Sequence, residues 1–326
     1  MGAINKSIDY INSICKYREQ KLLGRERIMR MADADSLQNA FDILCESDFG
    51  GDKLSLNFND YERLILAEEL LLCDFVKEFA PTKEIEKYCL HSYDFYNAEV
   101  IVKGEFIGQD YSSFLTVEGL FSIEQLTKAI KEDNLSTLPE ELANAIKQSK
   151  DALNDGKGGM VVGAIFLKEK TKYLDWILNS SYLREIFAAE TMLTNVAICL
   201  RAKRVEIACE QILPCTKISD AQIKALCEAN EEEVKKLFDK YPFKDVVLKA
   251  VACVKNGNPL VELENYISSF GASRMIANRY LENMGTNPFV LYYLKRKNEI
   301  ACARTILTGK ANGLDSEQIK RRIIVS

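Results

Sequence analysis

Apolar side chains recur at three- and four-residue spacing along nearly the whole chain, and no comparable run alternates apolar with polar positions. Residues three and four apart share one face of an α-helix, so this period is helical. It predicts helices over 5–23, 25–46, 60–79, 82–107, 122–132, 138–153, 160–179, 181–206, 219–228, 230–239, 243–256, 259–283, 288–308 and 315–324. Start signals agree with it. Ser122 with Gln125 and Ser219 with Gln222 have the spacing of a capping box, and Asn59 with Glu62 precedes Leu64-Ile65-Leu66. Asn258-Pro259 and Asn287-Pro288 each set a cap residue before a proline at the first helical position. Gly257, Gly285 and Gly309 stand where helices are expected to stop. The fold class expected is all-α.

Three of these helices share a pattern. They are YCLHSYDFYNAEVIVKGEF from Tyr88, IFAAETMLTNVAICLRAKR from Ile186 and YLKRKNEIACARTILTGK from Tyr293. Asn97, Asn195 and Cys302 fall in register, followed by Ala98, Val196 and Ala303. Further along come the apolar pairs Ile101-Val102, Cys199-Leu200 and Ile306-Leu307. The offsets are 98 residues (195 minus 97) and 107 residues (302 minus 195). Helical solenoid units repeat every ~33 to 47 residues, so a period near a hundred implies three small bundles instead. The expected boundaries are 1–108, 109–210 and 211–326.

Composition narrows the function. Only 16 Gly and 6 Pro punctuate 326 residues, too few for many short strands. A net charge of -5 argues against nucleic acid as the main partner. No apolar run reaches the roughly 18 residues that span a bilayer, and the N-terminus lacks the basic-then-apolar pattern of a signal peptide. A cytoplasmic location is expected. The ten cysteines are scattered without a CxxC pair, which fits small buried hydrophobes in a reducing compartment better than a metal site. The closest pair, Cys209 and Cys215, has no second pair to match it.

Catalytic chemistry finds little purchase. His91 is the only histidine, and it lies inside a helix beside Tyr88 and Asp94. Asn154 to Gly159 is glycine-rich, but no Ser or Thr follows Lys157 and no strand precedes it, so it reads as a linker and not as a phosphate loop. Glu68-Glu69, Glu140-Glu141 and Glu231-Glu232-Glu233 are adjacent acids that diverge on a helix instead of pairing. Polar residues on apolar helices carry more information. Asp94 and Asn97 share a face, Glu190 and Asn195 do not, and Glu299 lies near the repeat position of its helix. They fit hydrogen bonds between helices of a bundle, with partner binding as the alternative. Two basic clusters, Arg25, Arg27 and Arg30 with Lys16, Arg18 and Lys21, and Lys295-Arg296-Lys297 with Arg304, Lys310 and Lys320-Arg321-Arg322, are candidate partner surfaces.

Several segments together resemble one family. Tyr17, Leu22-Leu23, Arg25, Arg27 and Met29-Arg30-Met31 lead to Ser47-Asp48-Phe49-Gly50. Tyr93-Asp94-Phe95-Tyr96-Asn97 forms an Asp-x-x-Asn helix, and Asn195 to Lys203 an Asn-to-Lys helix. Asn287-Pro288-Phe289 to Tyr293, Glu299 to Gly309 and Gly313-Leu314 to Arg321 close the series. In order, spacing and total length this resembles the C subunits of bacterial and archaeal V-type ATPases, the family that includes the eukaryotic d subunits. Met192 stands at the second Asp place, Cys302 at the third Asn place, and Leu213-Pro214-Cys215 where relatives often carry Gly-Gly after Pro. The resemblance implies three similar bundles in a funnel with approximate threefold symmetry. It implies a non-catalytic central-stalk component between the rotor shaft of the ATP-hydrolysing head and the membrane ring of ion-carrying subunits. Proton or sodium transport would pass through that ring. The chain would be held at the inner face of the membrane through the complex, with no cofactor and no nucleotide bound directly. A helical scaffold unrelated to a motor, and an enzyme using carboxylates alone, are the alternatives that the residues leave open.

Overall fold

The structure is a computed structural model describing residues 7–51, 57–205, 218–277 and 285–323, with the backbone alone for 203–205. Every element among the described residues is helical. In order these are α1 (Ile8–Glu19), α2 (Gly24–Asp33), α3 (Leu37–Cys45), α4 (Tyr61–Phe79), α5 (Lys83–Ile107), α6 (Ile123–Lys131), α7 (Glu140–Asn154) and α8 (Gly159–Ile177). Then come α9 (Ser181–Val205), α10 (Asp220–Cys227), α11 (Glu231–Leu237), α12 (Lys244–Lys255), α13 (Val261–Ala277), α14 (Asn287–Ala311) and α15 (Ser316–Lys320). Single 3₁₀ turns cover Phe58–Asp60 and Ser112–Phe114. No described helix is long and apolar enough to cross a membrane.

The chain forms two compact units. Unit 1 joins Met1–Cys89 to Ser268–Ser326, so it contains both ends of the chain. Its centre is α14, which packs on α1, α2, α3, α4 and α15. Phe289, Tyr293, Leu64 and Ile65 are wholly buried there, and each such side chain contributes about 1.5–3 kcal/mol. Phe75 of α4 stacks on Phe289 at 5.3 Å and meets Tyr292 edge-on at 5.1 Å. Tyr293 Oη donates to the Cys89 carbonyl at 2.6 Å, giving a buried hydroxyl its partner.

Unit 2 is Leu90–Ile267. The glycine-rich segment predicted as a linker is the turn of an α7–α8 hairpin, and α9 packs on α10 and α12. The order of elements repeats. Both α4 and α8 have 19 residues and start 98 residues apart (159 minus 61). Each is followed by a longer helix, α5 and α9, again 98 residues apart (181 minus 83). Among the described residues α13 has 17 residues, and α5, α9 and α14 each run for 25.

Local chemistry explains the helix ends. Both expected capping boxes form, at Ser122–Gln125 and Ser219–Gln222, and a third occurs at Asp315–Gln318. Asn230 caps α11, placing Glu231 to Glu233 in its first turn beside the positive end of the helix dipole. Four expectations fail. The helix expected over 25–46 is two, because Ser36 takes the Asn39 N–H at 3.1 Å and starts α3 afresh. Asn59 caps nothing; Asn57 accepts its N–H at 3.0 Å, one turn earlier. The helix after Asn258-Pro259 starts only at Val261. Gly309 does not stop α14, which ends past it near Gly313, whose φ of 71° suits glycine. It sits instead where α15 crosses, and a Cβ there would lie 2.8 Å from Ile319 Cγ1.

Cys15, Cys45, Cys73, Cys89, Cys199, Cys253 and Cys302 are free thiols. Burial, with Glu19 nearby, pushes the Cys15 thiol up to about 12, and burial raises that of Cys89 as well. Such groups are inert hydrophobes at neutral pH. Cys227 departs from the expected pattern, being disulfide-bonded, which the absence of a CxxC motif did not foretell. Cys209, Cys215 and the Leu213-Pro214-Cys215 stretch lie outside the described residues.

Gly309→Ala should therefore cost ~1–3 kcal/mol by overpacking. Urea denaturation of Gly309→Ala, Ile319→Ala and the double variant should show a double-variant loss smaller than the sum of the two singles.

Candidate functional site

In unit 2, the Asp-x-x-Asn pair of α5 acts as a clamp. Asp94 and Asn97 are three residues apart on one face, 2% and 0% exposed. Asp94 accepts the Leu120 N–H at Oδ2 and the Phe121 N–H at Oδ1, both at 3.0 Å. Asn97 accepts the Thr116 N–H at 2.9 Å and donates its Nδ2 to the Val117 carbonyl at 3.1 Å. Four backbone groups of an irregular segment thus find partners in two side chains. Gly119 lies under the clamp, where a Cβ would be 2.5 Å from Asp94 Oδ1 and 2.8 Å from the Leu90 carbonyl. The clamped segment delivers the chain to Ser122 and α6.

In unit 1, α14 carries a buried charge network. Arg296 Nε donates to Glu68 Oε1 at 2.5 Å and its Nη1 to Glu299 Oε2 at 3.1 Å. All three residues are buried. Glu68 Oε2 accepts the Gly50 N–H at 2.6 Å, and Glu299 Oε1 the Gly24 N–H at 3.0 Å. The Phe49 ring faces the guanidinium at 5.2 Å. Burial works against the Arg296 charge, but Glu68 and Glu299 outweigh it and hold its pKa above the ordinary arginine value. Burial raises the Glu299 carboxyl, opposed by the Gly24 and Leu23 backbone and by Arg296. Further along α14, Arg304 grips Glu69 with two bonds of 3.0 and 3.3 Å and reaches Glu62 at 3.3 Å.

Glu299 and Asp94 occupy the same place in the repeat, three residues before Cys302 and Asn97. Both accept consecutive backbone N–H groups where a short helix begins: Leu23 and Gly24 at α2, Leu120 and Phe121 before α6. Asn195 is also fully buried, whereas Glu190 is half-buried, and Cys302 is buried. Glu68 and Glu69 are buried partners of Arg296 and Arg304 that sequence reasoning passes over as diverging neighbours. Their signal is register: they fall in the apolar face marked by Leu64, Ile65, Leu72 and Cys73 of α4.

The basic residues separate. Three successive residues on a helix fan out by about 100° each, so Lys295, Arg296 and Lys297 share no surface. Lys295 pairs with Glu19 at 2.9 Å, Arg296 is buried, and Lys297 is exposed over the Tyr293 ring. Arg30 pairs with Glu46 at 3.1 Å; Arg25, Arg321 and Arg322 are exposed, and Arg27 is half-buried. No group of three or more potential metal ligands occurs among the described residues. The buried acids Glu68, Glu69 and Glu299 each face a guanidinium, an arrangement that fastens helices together.

Comparison with known proteins matches residues 11–322 to the ATP synthase (C/AC39) subunit family. The chain belongs to that family. Its members are accessory, non-catalytic components of V-type ATPases, of the C and d kinds. The C subunit of the V-type sodium ATPase of Enterococcus hirae is 26% identical over 201 residues. That match covers 59% of this chain and 59% of the relative's length. The clamp and the charge network thus lie in a C/AC39-family protein whose described elements are all helical.

Arg296→Met should lower stability by ~3–5 kcal/mol, because Glu68 and Glu299 stay buried without their cation. Adding Glu68→Gln and Glu299→Gln should restore part of it, as chemical denaturation would show. The Glu299 pKa is raised above its ordinary 4.5. Its contribution is therefore present below that value and lost as pH rises through the folded-state pKa. In paired denaturation curves, Glu299→Gln should gain relative to the wild type as pH rises across that window.

Proposed function

We propose that this chain couples rotation between the shaft of an ATP-hydrolysing head and a membrane ring of ion-carrying subunits in a V-type ATPase. The family match over residues 11–322 carries the reading, and the likeness to the sodium ATPase component of Enterococcus hirae agrees with it. The chain would serve proton or sodium transport by mechanics alone, bound at the inner face of the membrane through its neighbours. Three bundles, over 1–108, 109–210 and 211–326, would form a funnel. The twice-repeated order of a 19-residue and a 25-residue helix, with a further 25-residue helix at α14, supports this. So does the shared role of Asp94 and Glu299. Each fastens the start of a short helix, α6 for Asp94 and α2 for Glu299.

A torque-bearing part must keep its shape, which suits a chain whose buried charges are spent on fixing helices. Binding of the purified chain to shaft and ring subcomplexes tests the proposal. It should bind both, and complexes assembled without it should hydrolyse ATP without moving ions. Failure to bind either, with ion transport intact in its absence, would overturn the reading.

A further inference from the structure

Two of the three 25-residue helices fasten the start of a short helix with a carboxylate, Asp94 on α5 for α6 and Glu299 on α14 for α2. On α9 the equivalent position is Met192, 98 residues after Asp94 (192 minus 94) and 107 before Glu299 (299 minus 192). Met192 is buried, and a thioether is a poor acceptor for backbone N–H groups. The short helix packed on α9 is α10, which also meets α11. Its start is capped locally, by Ser219 and Gln222.

The far end of α10 is held in another way. Its last residue, Cys227, is disulfide-bonded, and the sulfur lies 4.0 Å from the Cys199 carbonyl of α9. Seven of the other nine cysteines are thiols, which leaves Cys209 or Cys215 as the second half of the bond. Either choice ties the end of α10 to the chain that leads into it. Closing such a ring restricts the unfolded chain and so favours the folded segment. Two residues on, Ala229 is buried with a φ of 52°. A Cβ disfavours this left-handed conformation, and strain of this kind persists where the surroundings hold it. The Ala229 N–H reaches the Leu226 carbonyl at 3.0 Å and the Asn230 N–H that of Ala225 at 2.9 Å, so the strained residue closes the helix beside the disulfide.

We propose that the Cys227 disulfide stands in for the missing carboxylate at the α9–α10 junction and makes that junction a redox switch. Reduction is thiol–disulfide exchange. The thiolate of a small thiol of the glutathione class attacks one sulfur, and the other leaves as a thiolate that takes a proton from water. A second small thiol then displaces the first, giving two thiols on the chain and one small-molecule disulfide. The small-molecule disulfide drives the reverse sequence and restores the bond. Cys227 is half-buried at a helix end, where such a reagent can reach it, whereas Cys15, Cys73, Cys89 and Cys302 are enclosed in the core. Oxidised, α10 is tied to its own lead-in chain; reduced, it rests on α9 and α11 by packing alone. The junctions at Asp94 and Glu299 have no response of this kind. The switch does not depend on the coupling reading.

The test compares the full chain equilibrated with oxidised glutathione and with reduced glutathione. Mass spectrometry of the oxidised chain should recover a disulfide-linked peptide pair containing Cys227, and the pair should vanish on reduction of the folded chain. Hydrogen exchange across α10 should quicken by about tenfold or more on reduction, while α6 and α2 change little. Cys227→Ser should exchange at the reduced rate under both conditions, and so should one of Cys209→Ser and Cys215→Ser. The wild type in its two redox states decides the matter should a variant fold poorly. Absence of the linked pair under oxidising conditions overturns the inference. So does a bond that reduced glutathione leaves intact in the folded chain, or α10 exchange indifferent to redox state.

Discussion

Burying the Arg296 guanidinium constrains everything around α14. An arginine taken out of water needs matched acceptors, and here they come from α4 and from its own next turn. Those acceptors are in turn committed to the Gly50 and Gly24 backbone. A shift of α4 along α14 by one turn would strip the cation of Glu68 and leave both charges buried. Apolar packing of Phe289, Tyr293 and Phe75 supplies the bulk of the stability. A buried ion pair adds little net energy beyond hydrophobic groups of the same size, but it penalises every other register. The network therefore acts chiefly as a device for specifying how the helices meet.

The same logic recurs at Asp94, with a different partner. The carboxylate is satisfied by two N–H groups of the segment it holds, and Asn97 takes two further groups. Two carboxylates at equivalent places in the repeat thus fix the starts of α2 and α6. The side chain differs by one methylene, and Glu299 serves Arg296 as well as the backbone. Met192 holds the equivalent place on α9 and can accept nothing of this kind, so the repeat is one of position more than of chemistry. That divergence explains why it is faint at the level of residues and plain at the level of helix lengths.

Much of the fold is legible in the chain. Helix identity follows from the apolar period. The capping boxes at Ser122 and Ser219 are readable because their partners lie three residues away, where no tertiary information is needed. Breaks are harder. The pause at residues 34–36 carries neither Gly nor Pro, and only Ser36 marks it. Gly309 reads as a stop until α15 is known to cross it. The candidate site is half legible. Asp94 and Asn97 stand out as polar residues on an apolar helix, but they bond the backbone of the irregular segment at 116–121 and not a second helix. Adjacency in sequence groups Arg296 with Lys295 and Lys297, although a helix spreads such neighbours around its axis. Glu68 reads as one of two adjacent acids, while its register with Leu64, Ile65 and Leu72 points inward.

Charge is distributed in a way that bears on how such a component would work. Ionic groups are matched within the chain at the α14 core, where Arg296 and Arg304 meet buried carboxylates. A part that passes torque between two bodies gains from contacts that do not weaken as salt screens them, and apolar contacts have that property. On the coupling reading, the chain would hold its own form with buried ion pairs, which a change in ionic strength screens little.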